Sequence, residues 1–214
     1  MAALYLVRHG QASFGAANYD ELSARGVEQA RHLGYAWEAS EWLPTMAVSG
    51  SMQRHHDTAL QALAAAGQND GYEVDHGWDE YDHEAIMESQ MPGFASDDPR
   101  QFQAAFVKAM RAWAAGGSDG DHESYAEFTA RVLGAFDRLA DAAGKGESAV
   151  TFTSGGPIAM VVAHLLSGET ALWSSLNSVI INASVTKIVT GRSGRSLLSF
   201  NEHGHLPADM VTYR

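Results

Sequence analysis

The chain has no cysteine. That absence removes thiolate nucleophiles, disulfide staples and cysteine-ligated metal centres, so any covalent mechanism must use another side chain. Basic residues are scarce too: 14 Lys and Arg stand against 26 Asp and Glu, a formal charge of −12. Binding to a phosphate backbone needs clustered cations, so this balance argues against a nucleic-acid partner. An anionic substrate would have to be caught by a small pocket of arginines set in a repelling surface. No apolar run approaches the ~20 residues of a membrane span, and the N-terminus lacks the basic and long apolar segments of a signal peptide. The expectation is a soluble, cytoplasmic protein with no membrane partner.

With 214 residues, 45% of them hydrophobic, the chain can build one sizeable core and is short for two independent domains. The expected organisation is one domain over 1–214 with an inserted cap segment around 85–120. There the composition shifts to Met, Gly, Pro and Asp, and a helix near 99–115 is bounded by Pro99 and Gly116-Gly117. No internal repeat or low-complexity tract is present, and nothing fixes the oligomeric state.

The rest is organised around the first dozen residues. The apolar run Ala3-Leu4-Tyr5-Leu6-Val7 stops at Arg8-His9-Gly10-Gln11, which reads as a buried parallel strand delivering charged side chains to the sheet's carboxyl edge, where open α/β sheets bind ligands. Ser23 then N-caps a helix over about 24–38. Met46-Ala47-Val48-Ser49 is a second strand, running through Gly50-Ser51 into a helix that carries Arg54 and, one turn on, Thr58. Residues 149–153 form a third strand, which passes through Ser154-Gly155-Gly156-Pro157 into an apolar helix over 158–166. Each strand-to-helix junction is expected to offer free N–H groups to an anion. Tyr72-Glu73-Val74-Asp75 reads as an edge strand, 124–143 as a long amphipathic helix, and 179–189 with 197–200 as two strands joined by a turn at 191–195.

Taken together, LYLVRHGQ at 4–11, LSARGVEQA at 22–30, VSGSMQRHHDTA at 48–59, DEYDHE at 79–84, TSGGPI at 153–158 and INASVT at 181–186 resemble the histidine phosphatase superfamily, the phosphoglycerate-mutase-like proteins. The resemblance spans nearly the whole chain in the right order. It implies a three-layer α/β/α sandwich with a mostly parallel central sheet, and cofactor-independent catalysis through a phosphohistidine. His9 matches the nucleophile, and Arg8 and Arg54 match the phosphate clamp. Glu80 is the best match to the leaving-group acid, ahead of Asp79, Asp82 and Glu84. Gln11, Ser154, Gly155 and His205 are the implied substrate-binding residues, and no metal is implied. The chemistry agrees, because a neutral imidazole can attack phosphorus while guanidiniums neutralise its equatorial oxygens.

Two positions depart from the family pattern. Ser154 stands where a second histidine usually contacts the transferring phosphoryl group, and Gly15 stands where an asparagine often follows the Arg-His-Gly motif, Asn18 being the nearest substitute. Turnover should therefore be slow unless another group, such as His205 or His203, fills the gap. The first functional reading is a phosphomonoester hydrolase acting on a small phosphorylated substrate. A weakened phospho-ligand-binding protein of the same fold and a phosphoglycerate-type mutase are the alternatives. A metal-dependent hydrolase would draw on Asp82-His83, Asp121-His122-Glu123 or His203-x-His205, none of which has a recognised ligand spacing.

Overall fold

The computed structural model describes residues 1–13, 20–116, 122–167 and 172–213. Gly15 and Asn18 lie outside the described residues. The chain forms two compact units, Met1–Glu80 with Leu133–Arg214, and Tyr81–Val132.

The first unit holds six strands: β1 (Ala2–Arg8), β2 (Met46–Ser49), β3 (Glu73–Val74), β4 (Ser148–Thr153), β5 (Val185–Gly191) and β6 (Gly194–Glu202). Seven α-helices are found among the described residues: α1 (Ala24–Ala39), α2 (Gln53–Ala65), α3 (His83–Gln90), α4 (Pro99–Ala114), α5 (Tyr125–Ala142), α6 (Gly155–Ser167) and α7 (Trp173–Asn177). The strands make one mixed sheet in the order β3-β2-β4-β1-β5-β6. β1, β2, β3 and β4 run parallel, while β5 and β6 are antiparallel additions at one edge. The chain is thus an α/β protein with a mostly parallel sheet.

Burial follows from pattern. β4 reads Ala149-Val150-Thr151-Phe152 and all four are fully buried, the continuous run expected of a parallel strand covered on both faces. On β1 the side chains alternate. Val7 joins Val150 and Phe152 in a cluster with Leu33 and Trp37 of α1 and Ala59, Ala62 and Leu63 of α2. Leu4 and Leu6 point the other way. Helix α6, whose residues 155–163 are all buried, packs against β1 and β6 and contributes nothing to that cluster. Full burial of a side chain such as Phe152 stabilises by about 1.5–3 kcal/mol, so both layers hold the sheet edge rigidly.

Register aligns the carboxyl ends. Arg8 lies beside Thr153, and Ser49 beside Phe152. The three turns that follow these strands therefore emerge side by side.

The strand expected from 179 begins only at Val185. Before it, Ala183 takes a left-handed backbone (φ 57) and the Ser184 N–H closes a turn on the Ile181 carbonyl at 3.1 Å. The β-branched run looked extended, but its Asn182 is held by side-chain hydrogen bonds to the His9 carbonyl and Thr212 rather than by a ladder.

The second unit is helical and contains the segment 85–120 read as an insertion. Asp82, taken only as one of several acids, caps the unanticipated helix α3 by accepting from the N–H groups of Glu84 and Ala85. Trp113 packs against Tyr81, Tyr125 and Phe128 with ring centroids 5.2, 5.1 and 5.6 Å away. No helix among the described residues is long and apolar enough to cross a membrane.

Candidate active site

β1 does not release the chain at Arg8. The His9 N–H continues the ladder onto the Thr153 carbonyl at 2.8 Å. The Gly10 N–H then donates to the Thr58 hydroxyl at 3.0 Å, and that hydroxyl donates to the Arg54 carbonyl at 2.7 Å. Gly10 is needed for space. A Cβ there would sit 2.3 Å from the Gly26 carbonyl oxygen, so only glycine lets the loop lie on the start of α1.

His9 is buried and its Nδ1 lies 2.7 Å from the Gly10 carbonyl oxygen. A carbonyl only accepts, so Nδ1 carries the hydrogen and Nε2 keeps its lone pair. Burial, then the charges of Arg54 and Arg8, hold the imidazole well below its usual titration range. At neutral pH His9 is therefore a neutral base with one free ring nitrogen.

Two cations flank it. Arg54, in the first turn of α2 and buried, pairs with Asp20 at 2.5 Å. Arg8 is anchored by the backbone carbonyls of Ile180 and Tyr213. The segment 180–183 is thus folded around the strand end that carries His9: Asn182 Nδ2 donates to the His9 carbonyl at 3.2 Å, as does the Ala183 N–H at 3.2 Å.

Behind this lies a partly buried amide and hydroxyl chain. The Gln11 N–H donates to Gln29 Oε1 (2.8 Å), Gln29 Nε2 donates to Thr212 Oγ1 (2.8 Å), and Thr212 donates to Asn182 Oδ1 (3.0 Å). The Gln11 side chain accepts from Ser23 at 3.1 Å. His205 Nε2 donates to the Ala183 carbonyl at 3.0 Å and so reaches His9 through backbone, while His203 Nδ1 lies 2.7 Å from the Asn201 carbonyl.

The junction N–H groups differ from the expectation. At the start of α2 the Ser51 N–H goes to Asp79 (2.6 Å) and the Gln53 N–H to Asp20 (2.8 Å). At the start of α6 the Gly156 N–H donates to Glu80 Oε2 at 3.1 Å, and Pro157 has no N–H. The protein's own carboxylates take these three N–H groups. This also separates the acids of 79–84: Asp79 ties down Ser51, Asp82 caps α3, and Glu80 sits on α6 two residues from Ser154.

Sequence reasoning passed over His55. It is fully buried, its Nε2 lies 2.7 Å from Ser154 Oγ, and its ring centroid is 5.8 Å from that of His9. Helical spacing held the clue, since Thr58 and Ala59, three and four residues on, share its face and are buried with it. His56, its neighbour, is only partly buried and bonds Tyr72 instead.

The family model described as histidine phosphatase superfamily (branch 1) matches residues 4–203. Among solved structures, the chain is similar to a phosphoserine phosphatase mutant from Entamoeba histolytica in complex with phosphoserine, at 16% identity over 97% of this chain and 100% of that one, with a TM-score of 0.71. A phosphoglycerate mutase from Bacillus anthracis str. Sterne has 21% identity over 95% and 94%, with a TM-score of 0.71. A mycobacterial glucosyl-3-phosphoglycerate phosphatase, solved with VO3, has 25% identity over 93% and 98%, with a TM-score of 0.67. The first two likenesses establish fold alone. Comparison with curated protein sequences finds no match.

Proposed function

Because the chain belongs to the histidine phosphatase superfamily, branch 1, we propose that it is a phosphomonoester hydrolase working through a phosphohistidine on His9 and acting on a small phosphorylated substrate. The observation that carries this reading is the state of His9. Its Nδ1–H is held by the Gly10 carbonyl, so the Nε2 lone pair is available in a buried place between two arginines.

In the first step Nε2 attacks phosphorus, an N–P bond forms, and the P–O bond to the leaving group breaks. The leaving oxygen takes a proton from Glu80. Arg8 and Arg54 neutralise charge on the equatorial oxygens. In the second step water attacks phosphorus, its proton passes to the Glu80 carboxylate, and the N–P bond breaks to give inorganic phosphate and neutral His9. Neither step calls for a metal or an organic cofactor. Ser154 and Gly155, at the turn into α6, are assigned to contact the phosphoryl group. Gln11 and His205 are assigned to support the loop that carries His9, through Gln29 and Ala183.

Brief mixing with a radiolabelled phosphomonoester tests the reading. Acid-labile, base-stable label should be trapped on His9, and His9→Ala should lose both label and turnover. A His9→Ala protein that keeps most of its activity overturns it. A protein that binds phosphate yet releases none from an aryl phosphate is a phospho-ligand binder instead, and one that releases it only to an acceptor is a mutase.

A further inference from the structure

We infer that His55 is a positioning residue that fixes the Ser154 hydroxyl as a hydrogen-bond donor to the transferring phosphoryl group. The inference rests on the phosphohistidine reading above. In it, the imidazole that the resemblance places at the end of β4 is supplied from α2 instead, and acts through the serine.

Placement comes first. Ser154 follows Thr153, whose carbonyl accepts the His9 N–H, so the serine stands level with the nucleophile on the neighbouring parallel strand. It is fully buried, as is His55, and their side chains meet at 2.7 Å. His55 follows Arg54 directly in the first turn of α2. One helical turn thus delivers both a phosphate-binding cation and the partner of the serine.

The hydrogens can then be assigned. Burial, followed by the charges of Arg54 and His56, holds His55 well below its usual titration range, so the ring is neutral with one N–H. Its Nδ1 is buried without a hydrogen-bond partner among the described residues. The nearest carboxylate oxygen, Asp79 Oδ1, is 3.9 Å away and accepts the Ser51 N–H. Orphaned buried N–H groups are rarer than orphaned acceptors, which puts the hydrogen on Nε2. His55 then donates to Ser154 Oγ, and the serine's single hydrogen is left for an acceptor. Phosphoryl oxygens are acceptors only. The opposite tautomer would spend the serine hydrogen on His55 and leave the phosphoryl group facing lone pairs.

Gly50 preserves this arrangement, because a Cβ there would lie 2.3 Å from His55 Nδ1 and 2.9 Å from Asp79 Oδ1. The histidine lies against a bare Cα, and that contact keeps its Nε2 turned to Ser154.

A double-mutant cycle tests the inference, with turnover of p-nitrophenyl phosphate and orthovanadate affinity as readouts and thermal melts confirming the fold. Ser154→Ala and His55→Leu should each cost about 100-fold in kcat and weaken vanadate, while the double variant falls little further, because the two act as one donor. His55→Gln, whose amide can still donate to the serine, should recover most of the loss, and so should Ser154→His in the His55→Leu background. Full additivity, or a His55→Gln protein as poor as His55→Leu, overturns the inference. Label trapped on His9 in the same preparation would show that the hydrolase reading survives that failure. A wild-type protein that neither turns over nor binds vanadate overturns both.

Discussion

The β2-to-α2 and β4-to-α6 junctions are built alike and used differently. Each is a parallel strand, a turn of small residues and a helix, and in each at least one N–H at the helix start is taken by a carboxylate from elsewhere in the chain. From α2 come long side chains, Arg54 and His55, projected inward by the first turn. From the start of α6 come a hydroxyl and a glycine pair, with Glu80 laid against it. The contrast is that these helix N-termini serve the protein's own acids, so that in the proposed hydrolase charge for the substrate comes from arginine. The His55–Ser154 bond is where the two junctions touch.

Removing the cation of the first junction should break this division of labour most severely. Arg54→Ala takes away a guanidinium that is buried beside His9 and appears among the causes of its lowered protonation. An arginine on a transferring phosphoryl group is typically worth ~1,000-fold to 100,000-fold, and a loss in that range in kcat/KM is expected. Because the variant also relieves a charge that opposes protonation of His9, the acid limb of its pH–rate profile should move toward higher pH. Unchanged kcat/KM with an unmoved acid limb would mean that α2 contributes no charge to the reaction.

The second junction is probed at its acid. Glu80→Gln keeps an amide oxygen for the Gly156 N–H but cannot give a proton, so α6 stays capped while the leaving group is deprived. General acids contribute about 100-fold to 10,000-fold. That loss should fall on alkyl phosphates and nearly vanish on nitrophenyl phosphate, whose leaving group needs no proton. An equal loss on both substrates would return Glu80 to a capping role like that of Asp79.

These two junctions also mark how far the sequence could be read. Strand ends, the Ser23 cap, and Arg54 and Thr58 on one face of α2 all follow from local periodicity and residue chemistry, and the parallel order of β1, β2 and β4 follows from the helices between them. What escaped was pairing at a distance. His55 meets a serine 99 positions away, and Gln29 meets Thr212 across 183. Neither bond leaves a periodic trace. Helical spacing turns His55 inward with Thr58 and Ala59, but it names no partner for the ring. The misread strand at 179–184 has the same origin, since the turn at Asn182 and Ala183 is pinned by the distant His9 carbonyl.

The smallest expected effect lies outside both junctions, at His205. Its imidazole donates to the Ala183 carbonyl and is pushed down to about 4, chiefly by burial, against the favourable Ala183 bond. In the unfolded chain it would protonate near 6.5. The sign follows from proton counting: between those two values the unfolded state binds the extra proton, so stability is intact above pH 6.5 and is lost as pH falls toward 4. The difference of about 2.5 pH units corresponds to roughly 3 kcal/mol. For a chain of this size that is about 6–12 °C in Tm. His205→Gln offers the same carbonyl an amide N–H that does not titrate, so its Tm should fall less than the wild-type Tm between pH 7 and pH 4. Some acid sensitivity must remain, because His9 and His55 are also held neutral by burial and destabilise the fold in the same direction once unfolded imidazoles take up protons. Turnover at pH 7 should change only a few-fold, since His205 touches His9 through two backbone bonds. Parallel Tm curves for the two proteins would show that His205 does not carry this share of the acid response.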